Sequence, residues 1–184
     1  MIEWFDSVIL TWFVSLHQPA LTAVMKVFTT LGEGGAVWVL IGILLLLKKE
    51  TRKTGAVVLF SLLLCMITGN LILKNLVARP RPCWRNPEVE MLLAIPKDYS
   101  FPSGHTMSSF AAATGIFMWN KRLGLVAAAG ALLIAVSRMY FYVHYPTDIL
   151  AGLLLGIALG CLSAVVIGRL EECYVRRRER LKKI

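Results

Sequence analysis

Lys74, Arg81 and Arg138 are cations placed at the ends of apolar runs, and His105, His144 and Asp148 stand close to them in the chain. Guanidinium forks match phosphate oxygens in pairs, and a lysine adds a compact point charge. Together they form a clamp for an anion, one that favours the charge of a five-coordinate phosphoryl transition state. Two predicted helix starts converge on the same group. Ser103 sits where an N-cap belongs, ahead of Gly104 and His105, and Pro146 takes a first helical position ahead of Asp148. A helix start offers free N–H groups and a partial positive charge, which suits phosphate. Gly104 has no side chain to keep an anion from the backbone.

Two histidines supply the rest of a phosphoryl-transfer site. His144 lies four residues before Asp148, within reach of its carboxylate across a helix start. A carboxylate there fixes the imidazole tautomer and stabilises the imidazolium, as a nucleophile or a base requires. His105 has no partner nearby in sequence and suits the acid that protonates a leaving oxygen. Two histidines and an aspartate are also a metal-ligand set. Lys74, Arg81 and Arg138 would repel a cation, and the set has no second carboxylate, so neither a metal nor a cofactor is expected.

The elements that must hold these residues are membrane helices. The 184 residues suit one domain, 57% of them are hydrophobic, and the mean hydropathy is +0.67. Leu40–Leu47 and Ala151–Ile167 offer no polar face to water, which argues against a soluble bundle. Apolar runs near 32–47, 54–78, 104–119, 123–142 and 147–168 predict an all-α, polytopic transmembrane bundle of five spans. Before residue 32, two short segments are broken by His17-Gln18-Pro19. In the second, Leu21, Val24, Met25 and Phe28 form a stripe opposite Thr22, Lys26 and Thr29, which predicts a helix lying in the interface. A kinked sixth span is the alternative.

Charge placement sets the expected orientation. The net charge is +9, and its basic clusters fall in alternate loops: Lys48, Lys49, Arg52 and Lys53, then Lys121 and Arg122. A third cluster forms the tail, Arg169 to Lys183. Positive loops stay in the cytoplasm, so the tail (169–184) reads as a cytoplasmic anchor meeting anionic lipid and not as a nucleic-acid arm. The proline-broken stretch Arg79–Ser100 then faces outside, with Arg79 and Arg85 read singly as snorkelling anchors. Met1-Ile2-Glu3-Trp4 is acidic where a cleavable signal is basic, so none is expected. Cys65, Cys83, Cys161 and Cys173 read as free thiols, Trp38 as packing, and His17 as a turn residue. Gly152, Gly156 and Gly160 form a ridge for a close helix, within the bundle or across a dimer.

Three stretches resemble, in order and spacing, the signature motifs of the type 2 phosphatidic acid phosphatase family. They are Lys74-Asn75-Leu76-Val77-Ala78-Arg79-Pro80-Arg81-Pro82, then Pro102-Ser103-Gly104-His105, then Ser137-Arg138 through His144 to Asp148. The motifs cover 74–148 and are specific in combination; the hydrophobic arrangement extends the likeness to about 32–168. The resemblance implies that His144 becomes a phosphohistidine, that Asp148 supports it, and that His105 protonates the leaving group. It implies that Lys74, Arg81, Ser103, Gly104 and Arg138 hold phosphate. The expected partner is a phosphorylated lipid in an inner or plasma membrane, met at the extracytoplasmic face. Undecaprenyl diphosphate is the leading substrate, with phosphatidate or phosphatidylglycerol phosphate as the alternative. A transporter or scaffold would need polar residues across the whole membrane, whereas here they gather at one face.

Overall fold

The computed structural model describes residues 2–181; Met1 and the predicted tail residues Lys182, Lys183 and Ile184 lie outside the described residues. Among the described residues every regular element is helical. In chain order they are α1 (Ile2–Ser15), α2 (Pro19–Leu31), α3 (Ala36–Leu47), α4 (Arg52–Cys65), α5 (Lys74–Val77), α6 (Pro82–Arg85), α7 (Gly104–Trp119), α8 (Lys121–Tyr140) and α9 (Pro146–Leu181). A π-helical segment, Met66–Leu73, joins α4 to α5.

Three stretches are long and apolar enough to cross a membrane: Arg52–Arg85, Lys121–Tyr140 and Pro146–Leu181. The pair α2 and α3 would make a fourth, bent by 44° through Glu33–Gly35. Gly34 and Gly35 take φ of 56° and 70°, a left-handed conformation that a side chain would strain. The predicted span over 104–119 is the 16-residue α7, shorter than a bilayer needs but set in the middle of the bundle.

Small residues let α7 occupy that centre. It packs chiefly on α9 and α8, and also on α4. Ala111, Ala112 and Ala113 are fully buried, and the α9 ridge meets the α7 backbone directly. A Cβ at Gly152 would stand 2.8 Å from Ser103 O, and one at Gly156 2.5 Å from Met107 O. The glycine ridge is therefore filled from within the bundle. Trp38 packs as predicted, buried against α7 with Nε1 donating to Ser109 Oγ at 2.8 Å.

The predicted stripe of α2 is turned. Val24 and Val27 are exposed, while Thr22 and Thr29 face the bundle beside Met25 and Phe28. The reason is polar. Thr29 takes a hydrogen bond from Arg138 Nη1, and Thr22 Oγ1 pairs with the Tyr140 hydroxyl at 2.7 Å. Hydroxyls that satisfy buried groups outrank a purely apolar stripe.

At one end of the bundle the C-terminus of α8, the N-termini of α7 and α9, and α5 come together. Tyr140, Phe141 and Val143 pack with Phe13 of α1 into a small core under this end. His17 closes the turn after α1, its Nε2 2.7 Å from Tyr140 O. All the predicted site residues lie at that end.

Candidate active site

A cavity of about 830 Å³ opens at this end and is lined by Lys74, Arg81, Gly104, His105, Arg138 and His144. Six of the eight predicted site residues thus share one chamber. The remaining two lie behind its wall: Ser103 and Asp148 are fully buried. Ser103 caps α7 as its sequence context predicts, its Oγ accepting from Thr106 N at 3.4 Å and from Thr106 Oγ1 at 3.0 Å.

The partners of His144 determine its tautomer. Arg81 Nη1, which can only donate, lies 3.1 Å from Nε2. Nε2 must therefore carry the lone pair, and the neutral ring keeps its proton on Nδ1. Nδ1 faces Ser100 Oγ at 3.4 Å and Asp148 Oδ2 at 3.6 Å. The second separation exceeds a hydrogen bond, so the predicted pairing of His144 with Asp148 runs through a hydroxyl. Ser100 donates to Asp148 Oδ2 at 2.5 Å, which leaves its oxygen free to accept from Nδ1–H. Asp148 also accepts from Tyr145 N at 2.9 Å and from Arg79 Nη1 at 2.5 Å.

Arg79 is thereby corrected from an anchor to part of the site's support. Its other terminal nitrogen, Nη2, donates to Asp6 Oδ2 at 2.6 Å, and its guanidinium lies 3.9 Å from the Tyr145 ring centroid. Its charge is thus matched by two carboxylates, those of Asp6 and Asp148. Arg85 stays at the surface, 3.5 Å from Glu3.

The predicted clamp residues Arg81 and Lys74 are held by fixed partners. Arg81 donates through Nε to Asp98 O, through Nη2 to Asp98 Oδ1 and through Nη1 to Val143 O, each at 2.7 Å. Lys74 Nζ bonds the other Asp98 oxygen. Burial would push the Asp98 carboxyl up, yet Lys74 and Arg81 beside it pull it down to about 2. Arg138 binds Thr29 through Nη1, and its buried Nε has no partner among the described residues. His105 Nε2 is likewise without a hydrogen bond among them, with Glu33 Oε2 at 3.7 Å. These donors and cations surround a space suited to a tetrahedral anion.

Ser100, Asp6, Asp98, Thr29 and Glu33 escaped the sequence reading. Asp6 alone left a signal, being a carboxylate in helical phase with the buried Leu10 and Phe13. Among the described residues no three His, Cys, Asp or Glu side chains gather as a metal site.

The PAP2 superfamily sequence model matches residues 54–172, which include all eight predicted site residues. The chain belongs to the PAP2 superfamily. An undecaprenyl-diphosphatase of Sulfolobus acidocaldarius is 33% identical over 155 residues, covering 83% of this chain and 74% of that protein. The transmembrane PAP2-type phosphatidylglycerolphosphate phosphatase of Bacillus subtilis superposes with a TM-score of 0.74 at 27% identity. That match covers 91% of this chain and 87% of the other. Aquifex aeolicus LpxE superposes with a TM-score of 0.76 at 26% identity, covering 86% and 93%. This PAP2 protein is a membrane phosphatase.

Proposed function

We propose that the enzyme removes the terminal phosphate of a polyprenyl diphosphate, converting undecaprenyl diphosphate to undecaprenyl phosphate, through a phosphohistidine on His144. The observation that carries the chemistry is the Nε2 lone pair of His144, held in the chamber beside Arg81 with Nδ1–H turned away. Nε2 attacks the terminal phosphorus while Lys74, Arg81, Arg138 and the start of α7 take up the growing charge. The bond to the leaving oxygen breaks, with His105 as the proton donor where one is needed. Water then attacks the phosphohistidine, giving a proton to His105 and releasing inorganic phosphate. The imidazolium formed in the first step is stabilised by Asp148 through Ser100.

The choice of lipid rests on the undecaprenyl-diphosphatase relative and on the chamber's second half. Val39, Leu59, Leu62, Leu63 and Met66 line it beyond the cations, so polar head and apolar chain have adjoining walls. The site faces the extracytoplasmic side, and the C-terminus is cytoplasmic. Helix α9 starts at the site and runs 36 residues, about 54 Å at 1.5 Å per residue, so its basic end lies across a bilayer core from the chamber. Phosphatidylglycerol phosphate is the second reading, favoured by the likeness to the B. subtilis phosphatase.

Purified protein assayed for phosphate release from undecaprenyl diphosphate, phosphatidylglycerol phosphate and phosphatidate tests the assignment. The expected order of kcat/KM puts the diphosphate first, with activity retained in EDTA. A monophosphate lipid in first place overturns the substrate; activity lost to EDTA and restored by a divalent metal overturns the mechanism.

A further inference from the structure

Helix α1 presents Asp6, Leu10 and Phe13 to the bundle and leaves Trp4, Val8 and Trp12 exposed. Asp6 is a carboxylate in an otherwise apolar contact face, only 1% exposed, so it must be matched by partners. The partners belong to the catalytic end. Asp6 Oδ1 accepts from Thr147 N at 3.0 Å, capping the start of α9 from another helix. Its Oδ2 accepts from Thr147 Oγ1 at 2.8 Å and from Arg79 Nη2 at 2.6 Å. Arg79 holds Asp148 with its other nitrogen, at 2.5 Å.

We propose that Asp6 is a positioning residue for phosphoryl transfer, sharing the charge of Arg79 so that Asp148 keeps its negative charge for His144. The triad Asp6, Arg79 and Asp148 carries one net negative charge. Without Asp6, Arg79 and Asp148 close into a neutral pair, and the imidazolium of the phosphohistidine step loses its counter-charge. Asp6 also fixes the first turn of α9, which carries Asp148 two residues after its N-terminal proline. Neither Asp6 nor Arg79 touches the substrate; both act through Asp148. This rests on the phosphohistidine reading.

The experiment compares wild type, Asp6→Asn, Arg79→Gln, the double variant, and Glu3→Gln as a control for charge elsewhere on α1. The readouts are kcat and KM for farnesyl diphosphate and dioctanoyl phosphatidate, thermal stability in detergent, and orthovanadate affinity by calorimetry. Partners that orient metal-ligating side chains from behind are typically worth about 10–100-fold, and a residue that orients a nucleophile's support is expected on the same scale. Asp6→Asn should therefore lose about that factor in kcat with KM changed less than about twofold, while Glu3→Gln matches wild type. The double variant restores the single net charge, so its kcat should equal or exceed that of Asp6→Asn, a non-additive result. Wild-type kcat in Asp6→Asn, or losses that multiply in the double variant, would overturn the proposal. If Asp6→Asn fails to fold, a folded double variant within tenfold of wild type supports charge sharing, and an inactive or unfolded one overturns it. If wild type hydrolyses neither lipid, the substrate reading fails. Vanadate, which binds without a lipid, then decides: weakened by Asp6→Asn and recovered in the double variant, or not.

Discussion

Replacing Ser100 with alanine tests the hydroxyl relay between His144 and Asp148. Ser100 is fully buried, and its hydroxyl lies 3.4 Å from His144 Nδ1. The change removes a donor from Asp148 Oδ2 and an acceptor from Nδ1–H together. A hydrogen bond to a charged group contributes about 1.5–3 kcal/mol. Asp148 keeps Arg79 and Tyr145 N, so it stays anionic, and from 3.6 Å it can close part of the gap to the ring. The loss should therefore fall near the lower end, about 1.5–2 kcal/mol, or about 10–30-fold in kcat. Because the bond strengthens as the ring becomes cationic, KM should hold while kcat falls. The assay is steady-state phosphate release from farnesyl diphosphate in detergent, with a rapid acid-quench to follow the phosphoenzyme. Slower phosphoenzyme formation at unchanged KM supports the relay. An unchanged rate means that Asp148 reaches His144 directly in the working enzyme. A loss confined to KM means that Ser100 serves substrate binding.

Three further tests address the acid, the clamp and the orientation. His105→Ala should cost phosphatidate hydrolysis far more than undecaprenyl diphosphate hydrolysis, since an alkoxide needs a proton to leave and a phosphate ester needs little help; general acid catalysis contributes about 10²–10⁴-fold. Equal losses in kcat/KM, with no pre-steady-state burst, would make His105 a binding group. Asp98 is held at about 2 against an ordinary 3.8, so its pairing with Lys74 and Arg81 stabilises the fold fully above 3.8. That contribution is lost as pH falls through about 2: the melting-temperature gap between wild type and Asp98→Asn should persist at neutral pH and close there, and a gap independent of pH refutes the pairing. For orientation, Cys83 is buried and unsuited to labelling, whereas Glu88 and Cys173 are exposed. An impermeant maleimide on intact cells should label single-cysteine Glu88→Cys and spare Cys173; the reverse pattern turns the protein over.

What the sequence determined by itself was everything encoded in short range. Apolar runs long enough to need a bilayer gave the all-helical membrane class, because a backbone in lipid must satisfy its own hydrogen bonds. Ser103 before Gly104 marked an N-cap, and the structure starts α7 at Gly104 with Ser103 as its cap. His144 and Asp148, four residues apart, were legible as neighbours, and the cations at the ends of apolar runs were legible as a group, which the structure gathers around one cavity. The tertiary structure decided what no spacing expresses. Ser100 comes between His144 and Asp148 because the loop before α7 folds back under the start of α9, where Ser103 N donates to Asp148 O at 3.2 Å. Thr29 turns inward only because Arg138 is buried opposite it. Asp6 lies 73 residues from Arg79 and 141 from Thr147. A carboxylate, a hydroxyl or a guanidinium that far apart in a chain carries no mutual pattern. Its worth as a partner arises when the fold removes water from both sides and leaves each group nothing else to bind.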